Sequence, residues 1–224
     1  MKNSNGVMAA VLATALALPL GTPAHAATAA GRAATAAGPA TTATADAAAA
    51  ITVEVAAASG SGCAPGTASV VSNGDDTGFR IRYRDFVAAA GGDADVVDRR
   101  KNCQLGVLVG IPAGWTIAIA SANYRGRANL RSGATALQRT SYYWQGSSAT
   151  ERQDDTFTGP YSGLWATWDV APVLTYAPCG SKSVLNINTE LRITAGSSTG
   201  VSTMSMNTTE GDVDTLFHFS LATC

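Results

Sequence analysis

Apolar and polar side chains alternate at every second position along several stretches of this chain. The stretches with this period are Cys103–Val109, Trp115–Ile119, Leu185–Ile193 and Val213–Leu221. Alternate side chains of a β-strand point to opposite faces, so this period is that of strands with one buried face. Helical spacing of 3.6 is absent over comparable lengths, and glycine-containing breaks separate the stretches as turns do. The pattern predicts an all-β, single-domain antiparallel β-sandwich, with a jelly-roll-like or immunoglobulin-like topology.

The four cysteines all follow an apolar leader, and an even number in an exported chain predicts disulfide bonds. Four cysteines permit three pairings. We favour the pairing that joins the start of each half of the domain to a strand of the same half: Cys63 with Cys103, and Cys179 with Cys224. Each bond closes a loop of roughly 40 residues, for which chain entropy predicts a stabilisation on the order of 4 kcal/mol. A zinc site of four thiolates would need C-x-x-C pairs, which are absent, so we expect two disulfides and no metal.

The first 59 residues predict two segments outside the folded domain. Residues 1–26 contain an apolar run from Val7 to Leu20 and an Ala24-His25-Ala26 cleavage site, which are features of a signal peptide. The run is shorter than the roughly 20 residues of a spanning helix, so we expect no membrane span after cleavage and a secreted, extracellular location. Residues 27–59 are mostly alanine, threonine and glycine, and predict a disordered arm. The sandwich is then expected to span residues 60–224.

The charge of the chain is nearly balanced, with 15 Lys and Arg against 16 Asp and Glu. Nucleic-acid binding requires a concentrated cationic face, so we expect no nucleic-acid partner. Asp93, Asp95 and Asp98 have the spacing of a calcium loop, but the glycine and glutamate of an EF-hand are missing at its sixth and twelfth positions. An unconventional calcium site near these three residues stays open. No residue pattern indicates a cofactor, and we expect none.

Seven short segments share their order and residues with a known family. They are Gly62–Gly66, Asp98–Leu105, Tyr124–Gly126, Phe157–Pro160, Pro178–Gly180, Leu185–Thr189, and His218-Phe219 with Cys224. Taken together, they resemble the secreted family called domain of unknown function 4360, over Gly60–Cys224. The resemblance implies export and a cysteine framework of this kind. It implies no activity and no catalytic residue.

Two sets of residues are candidates for binding. Asn186, Asn188, Glu190 and Arg192 alternate with apolar residues, which predicts a polar strand face of donors and acceptors that could contact sugar hydroxyls. Trp144 and Trp165 belong to an aromatic-rich region, where exposed rings could stack on pyranose faces and at least half of the rings are expected to pack in the core. The rings of this region are Tyr142, Tyr143, Trp144, Tyr161, Trp165 and Trp168.

The sequence therefore predicts a secreted, non-catalytic binding or surface-interaction module for a glycan or cell-envelope polymer. One alternative is a secreted glycosidase-like hydrolase that uses acids such as Glu190 and Asp169. Another alternative is a protein-directed inhibitor or interaction factor. Aromatic residues clustered on the solvent side would favour glycan binding, whereas a cleft with two carboxylates would favour the enzyme.

Overall fold

The computed structural model describes residues 50–206 and 214–224, and these residues form twelve β-strands in two sheets. The predicted signal peptide and residues 27–49 of the predicted arm lie outside the described residues. One turn of 3₁₀ helix, Val96–Arg99, is the only helical element within the described ranges. None of the helical structure there is long and apolar enough to cross a membrane.

Sheet A contains five strands, and each pairs with its neighbour in an antiparallel arrangement. Their order across the sheet is β1 (Thr52–Ser59), β5 (Arg100–Gly110), β10 (Lys182–Thr194), β7 (Thr135–Trp144) and β8 (Glu151–Thr158). Burial alternates along β10 and β7, so one face of the sheet lies on the core and the other faces solvent.

Sheet B contains the other seven strands, which also pair antiparallel. The order is β2 (Ala68–Ser72), β3 (Gly78–Tyr83), β12 (Thr215–Thr223), β6 (Trp115–Leu130), β11 (Ser202–Ser205) and β4 (Val87–Ala90), and β9 (Tyr161–Val170) also pairs with β6. The edge strands β8 and β9 follow each other in the chain but belong to different sheets.

Aromatic rings connect the inner faces of the two sheets. Phe217 of β12 stacks on Phe79 of β3 at 5.0 Å and meets Tyr142 of β7, in the other sheet, edge-on at 5.8 Å. All three side chains are buried. The predicted all-β sandwich is therefore confirmed, with a core that both sheets supply.

Residues Thr52–Ser59 are part of the folded domain and not, as the sequence predicted, of a disordered arm. They form edge strand β1, which pairs with β5 from Thr52 opposite Gly110 to Ser59 opposite Gln104. Ile51, next to the strand, is only 4% exposed. The prediction of disorder is wrong for these residues, because backbone hydrogen bonds to β5 replace the side-chain contacts that alanines lack.

Both predicted disulfides are present, and all four cysteines are paired. Cys63 joins Cys103 with 5.1 Å between the Cα atoms, and Cys179 joins Cys224 with 6.2 Å. The first bond is buried and holds the segment after β1 to β5. The second bond is exposed and ties the end of β12 to the segment before β10.

Candidate functional site

The four predicted polar residues all lie on the outer face of β10, the central strand of sheet A. The structure divides them into two pairs with different surroundings. Asn186 and Asn188 lie beside small or neutral neighbours, whereas Glu190 and Arg192 lie among charged ones.

Glu190 is held by two arginines and is only 5% exposed. The Nε of Arg100 donates to its Oε2 at 2.8 Å, and Arg192 forms an ion pair with its Oε1 at 2.6 Å. Burial acts to raise the pKa of Glu190, but the hydrogen bonds and charges of Arg100 and Arg192 outweigh it and keep the pKa below its usual value. Glu190 and Arg192 are thus occupied by each other and by Arg100.

A second ion pair continues this charged part of the face onto β8. Arg139 donates to both carboxylate oxygens of Asp154, with 2.7 Å from Nε to Oδ1 and 2.5 Å to Oδ2. Arg152 also donates to Asp154, at 3.2 Å. The hydrogen bonds from Arg139 and then Arg152 hold the pKa of Asp154 well below its usual range.

The neutral part of the same face is named here the amide platform. It comprises Gln104 of β5, Asn186 and Asn188 of β10, and Ser141 and Tyr143 of β7. Asn188 lies directly between Gln104 and Ser141, and Asn186 lies between Gly106 and Tyr143. In the described part of the chain, the amides of Gln104, Asn186 and Asn188 make no hydrogen bond. Tyr143 is 37% exposed, so the platform combines a ring with free donors and acceptors.

The two predicted stacking rings are buried. Trp144 and Trp165 are each 3% exposed, and the indole N–H of Trp144 donates to the carbonyl of Thr175 at 3.0 Å. Trp165 contacts Phe157 with ring centroids 5.3 Å apart. Both rings occupy inward-facing positions of β7 and β9 and pack in the core, so neither is available to stack on a sugar.

An exposed tryptophan lies on the opposite side of the molecule. Trp168 of β9 is 57% exposed, and its ring lies 5.4 Å from that of His218. Leu164 and Val170, on the same outward face of β9, are each 63% exposed. Trp168 is one of the rings of the predicted aromatic-rich region, and an odd separation of three residues puts Trp165 and Trp168 on opposite faces of one strand.

Edge strands β8 and β9 belong to different sheets and do not pair with each other, and we call their inward-facing residues the seam. The seam residues are Glu151, Gln153, Asp155 and Phe157 of β8, and Tyr161, Trp165, Thr167 and Asp169 of β9. Phe157, Tyr161 and Trp165 make one end apolar. The other end carries carboxylates.

Two carboxyl groups of the seam have raised pKa values. Burial raises the pKa of Asp169 to about 6, and the negative charge of Asp155 adds to the shift. Burial also raises the pKa of Asp155, and the Thr167 hydroxyl partly opposes the rise. Glu190 lies on the outer face of sheet A, so the structure does not bring together the acids named for a hydrolase.

One of the three acids considered for calcium binding, Asp98, forms an ion pair with a lysine. The Nζ of Lys101 forms an ion pair with Oδ1 of Asp98 at 2.6 Å. Within residues 50–206 and 214–224, no three His, Cys, Asp or Glu side chains are grouped so that they could hold a metal ion. The structure thus adds no support for calcium near Asp93, Asp95 and Asp98.

The fold and its two disulfides define a class, the extracellular β-sandwich proteins. Residues 49–224 match the model of the family described as Domain of unknown function (DUF4360), and the chain belongs to this family. The match begins three residues before β1, in agreement with the edge strand that the structure places there.

One relative is an uncharacterized secreted protein of Arthroderma benhamiae (strain ATCC MYA-4681 / CBS 112371). It is 34% identical over 138 residues, which are 61% of this chain and 56% of the relative. The chain thus spans little more than half the length of that protein. The secreted relative and the paired cysteines establish this chain as a secreted, extracellular protein.

A solved structure, TmCBM61 in complex with β-1,4-galactotriose, is similar to this chain. The matched region covers 75% of this chain and 88% of the TmCBM61 chain. The sequence identity is 12% and the TM-score is 0.29. A similarity this low carries no argument about ligand or topology, so function must be argued from the residues of this chain.

Proposed function

We propose that this protein is a non-catalytic binding module for a glycan or a cell-envelope polymer, and that the amide platform is its binding surface. The observation that carries the proposal is the set of three side-chain amides without hydrogen-bond partners, on a flat face next to an exposed tyrosine.

The amides suit a ligand with many hydroxyl groups. Each side-chain amide offers a carbonyl acceptor and an N–H₂ donor, and a sugar hydroxyl can both accept and donate. Gln104 and Asn188 are direct cross-strand neighbours, so their amides present a continuous row of such groups. Gly106, opposite Asn186, leaves the face flat where a larger residue would project.

Tyr143 supplies the apolar part of the contact. Its ring is next to Asn186 on the neighbouring strand, and its exposed fraction leaves area on which a pyranose face can stack. The charged part of the face borders the platform. Because Glu190 and Asp154 are both satisfied by arginines, they impose no unpaired negative charge on the ligand.

A pull-down assay with insoluble cell-wall polysaccharides tests the proposal. The variant Asn186→Ala/Asn188→Ala should keep the melting temperature of the parent within a few degrees, because exposed substitutions cost within about 0.5 kcal/mol each. Its polymer binding should fall at least about tenfold, as expected when hydrogen bonds worth about 1.4 kcal/mol are lost. The assay should also measure released sugar, and none is expected.

The matched control is Thr156→Ala, on the outer face of β8 in the cross-strand row of Leu137 and Arg192, away from the platform. It should bind as the parent does. If the double variant binds polymer as tightly as the parent, the platform is not the binding surface.

A protein-directed interaction is a second candidate function, and one observation favours it. Leu164, Trp168 and Val170 form an exposed apolar row on edge strand β9, and such rows are typical of protein contacts. Trp168→Ala should then abolish capture of a protein partner and leave polysaccharide binding unchanged. Loss of polysaccharide binding in Trp168→Ala, with Asn186→Ala/Asn188→Ala unaffected, would move the glycan site to sheet B.

A further inference from the structure

The charged part of the outer face of sheet A contains more arginines than acids. The arginines, which we call the arginine cluster, are Arg100, Arg139, Arg152 and Arg192. The acids are Glu190 and Asp154. Four positive charges against two negative ones leave a formal charge of +2, whereas the whole chain carries −1. Glu54 and Lys182, at the opposite end of the same face, offset each other.

Glu190 has two arginine partners, although one would balance its charge. Arg100 donates from both Nε and Nη2 to Oε2 of Glu190. Arg192 lies 2.6 Å from the other oxygen, Oε1, and its side chain is 46% exposed. A guanidinium carries several N–H donors in a planar fork, so Arg192 keeps donors for a group that arrives from solvent.

Asp154 is surrounded in the same way. Arg139 donates to both of its oxygens, and Arg152 is a further donor at 3.2 Å. The side chain of Arg152 is 56% exposed, against 27% for that of Arg139. Arg152 is therefore the surplus charge of this group, as Arg192 is of the group around Glu190.

The two surplus arginines border the amide platform on two sides. Arg152 of β8 lies opposite Ser141, which lies opposite Asn188, so it continues a cross-strand row of the platform. Neighbouring strands are about 4.8 Å apart, which places the backbones of Arg152 and Asn188 roughly 10 Å apart. Arg192 follows Asn188 on β10 by four residues, or roughly 13 Å. A polymer on the platform therefore reaches a guanidinium group whether it runs across the strands or along them.

The groups on this face suit a ligand that combines three chemical features. The amides suit hydroxyl groups, the exposed ring of Tyr143 suits the face of a sugar ring, and the surplus guanidinium groups suit an anion. A uronate residue carries all three features on one ring. Its carboxylate matches the arginine fork, which binds carboxylates in a bidentate manner. A polyphosphate offers the charge but no ring face.

We propose that the amide platform and the arginine cluster together bind an acidic polysaccharide, whose uronate carboxylates pair with Arg152 and Arg192. This inference rests on the proposed function and adds to it the charge of the polymer. Charge complementarity favours association, because a cationic face attracts a polyanion before contact. Since the whole chain carries −1, the attraction comes from this face and not from the protein as a whole.

Soluble polygalacturonate and its highly methyl-esterified form test the proposal, because the two polymers share a backbone and differ in charge. Isothermal titration calorimetry of the secreted protein should show binding to polygalacturonate that is at least about tenfold tighter, since hydrogen bonds between charged groups are the stronger ones. A rise in NaCl from about 0.05 M to about 0.5 M should reduce this difference severalfold, because salt screens exposed charges.

The variant Arg152→Gln/Arg192→Gln removes the two surplus charges and leaves one arginine on each carboxylate. It should bind polygalacturonate at least about tenfold more weakly than the parent, and the methyl-esterified form equally well. Arg152→Gln alone should weaken binding severalfold and serves if the double variant does not fold. The matched control is Arg84→Gln/Arg125→Gln, which removes the same charge from exposed positions outside sheet A and should bind both polymers as the parent does.

The proposal is overturned if the parent binds polygalacturonate no more tightly than the methyl ester, or if Arg152→Gln/Arg192→Gln keeps the affinity of the parent. It is also overturned if inorganic polyphosphate competes with polygalacturonate as strongly as polygalacturonate itself, because the face would then recognise charge alone. The proposed function is judged separately. If Asn186→Ala/Asn188→Ala loses binding to the methyl ester while the arginine substitutions have no effect, the amide platform stands and the acidic ligand is rejected.

Discussion

The ring of Trp165 occupies the space that a side chain at Gly126 would need. A Cβ atom at position 126 would lie 2.3 Å from the indole ring and 2.0 Å from the carbonyl oxygen of Ser205. Gly126 is directly opposite Trp165 in the pairing of β6 with β9, so the ring covers its cross-strand neighbour. This contact lets β6 approach β9 and β11 closely.

Gly126→Ala should destabilise the fold by on the order of 1–3 kcal/mol, because the clash involves backbone as well as the ring. Denaturant unfolding followed by tryptophan fluorescence measures the change. Gly74→Ala is the control, since a Cβ there meets nothing within 4 Å and its expected cost is within about 0.5 kcal/mol. Equal unfolding midpoints for the two variants would contradict the packing described for Trp165.

A chain that begins at Gly60 should be less stable than one that begins at Ala49. The shorter chain loses β1 and the buried Ile51, and so exposes the edge of β5. Burial of one isoleucine contributes about 1.5–3 kcal/mol, and each kcal/mol corresponds to roughly 2–4 °C in a domain of this size. Calorimetry of both chains measures the difference. Identical melting temperatures would mean that β1 contributes nothing to stability.

The raised pKa of Asp169 makes stability depend on pH in a definite direction. The pKa is about 6 in the folded protein and 3.8 ordinarily, so between these values the folded state binds more protons. This contribution is fully present below pH 3.8 and is lost as the pH rises through about 6. The stability of the parent relative to Asp169→Asn should therefore fall as the pH rises over this interval.

Glu190 and Asp154 have lowered pKa values, so their contribution to stability changes with pH in the opposite direction. The parent and Asp169→Asn both retain these two residues. Comparison of the two proteins removes their contribution. Parallel stability curves from about pH 4 to about pH 7 would show that Asp169 titrates normally.

Arg100→Ala should destabilise the protein more than Arg152→Ala. The first variant removes hydrogen bonds to the buried Glu190, and bonds to charged groups contribute about 1.5–3 kcal/mol. The second removes an exposed pair whose carboxylate, Asp154, keeps its bonds to Arg139. Urea unfolding at neutral pH compares them. If Arg152→Ala loses more free energy of unfolding than Arg100→Ala, the ion pairs of Glu190 are not the more stabilising ones on this face.

The sequence predicts strands well where large apolar residues mark the inner face. The alternation in Leu185–Ile193 places β10 correctly, and the pairing of cysteines within each half of the domain places the bond between Cys63 and Cys103. Strand β1 is missed because Val55 and the following alanines resemble a low-complexity arm. Its stability depends on hydrogen bonds to β5, which a local pattern does not contain.

The candidate site was only partly predictable for a similar reason. The alternation of polar and apolar residues identifies the outward face of β10. It does not show which polar side chains of that face already have hydrogen-bond or ion-pair partners. Glu190 is occupied because Arg100, 90 positions earlier, lies on the adjoining strand. The seam is not predicted by periodicity, because Asp155 and Asp169 lie on consecutive strands that belong to different sheets.

The position of β12 determines when sheet B can be completed. This strand, the last of the twelve, lies between β3 and β6, so β2 and β3 have no connection to the rest of their sheet until residues 215–223 are in place. Completion of sheet B must therefore join segments more than 130 residues apart, between Phe79 and Phe217. Folding of such a chain is dominated by slow, non-local pairing, and it reaches its native form only after β12 has left the export machinery.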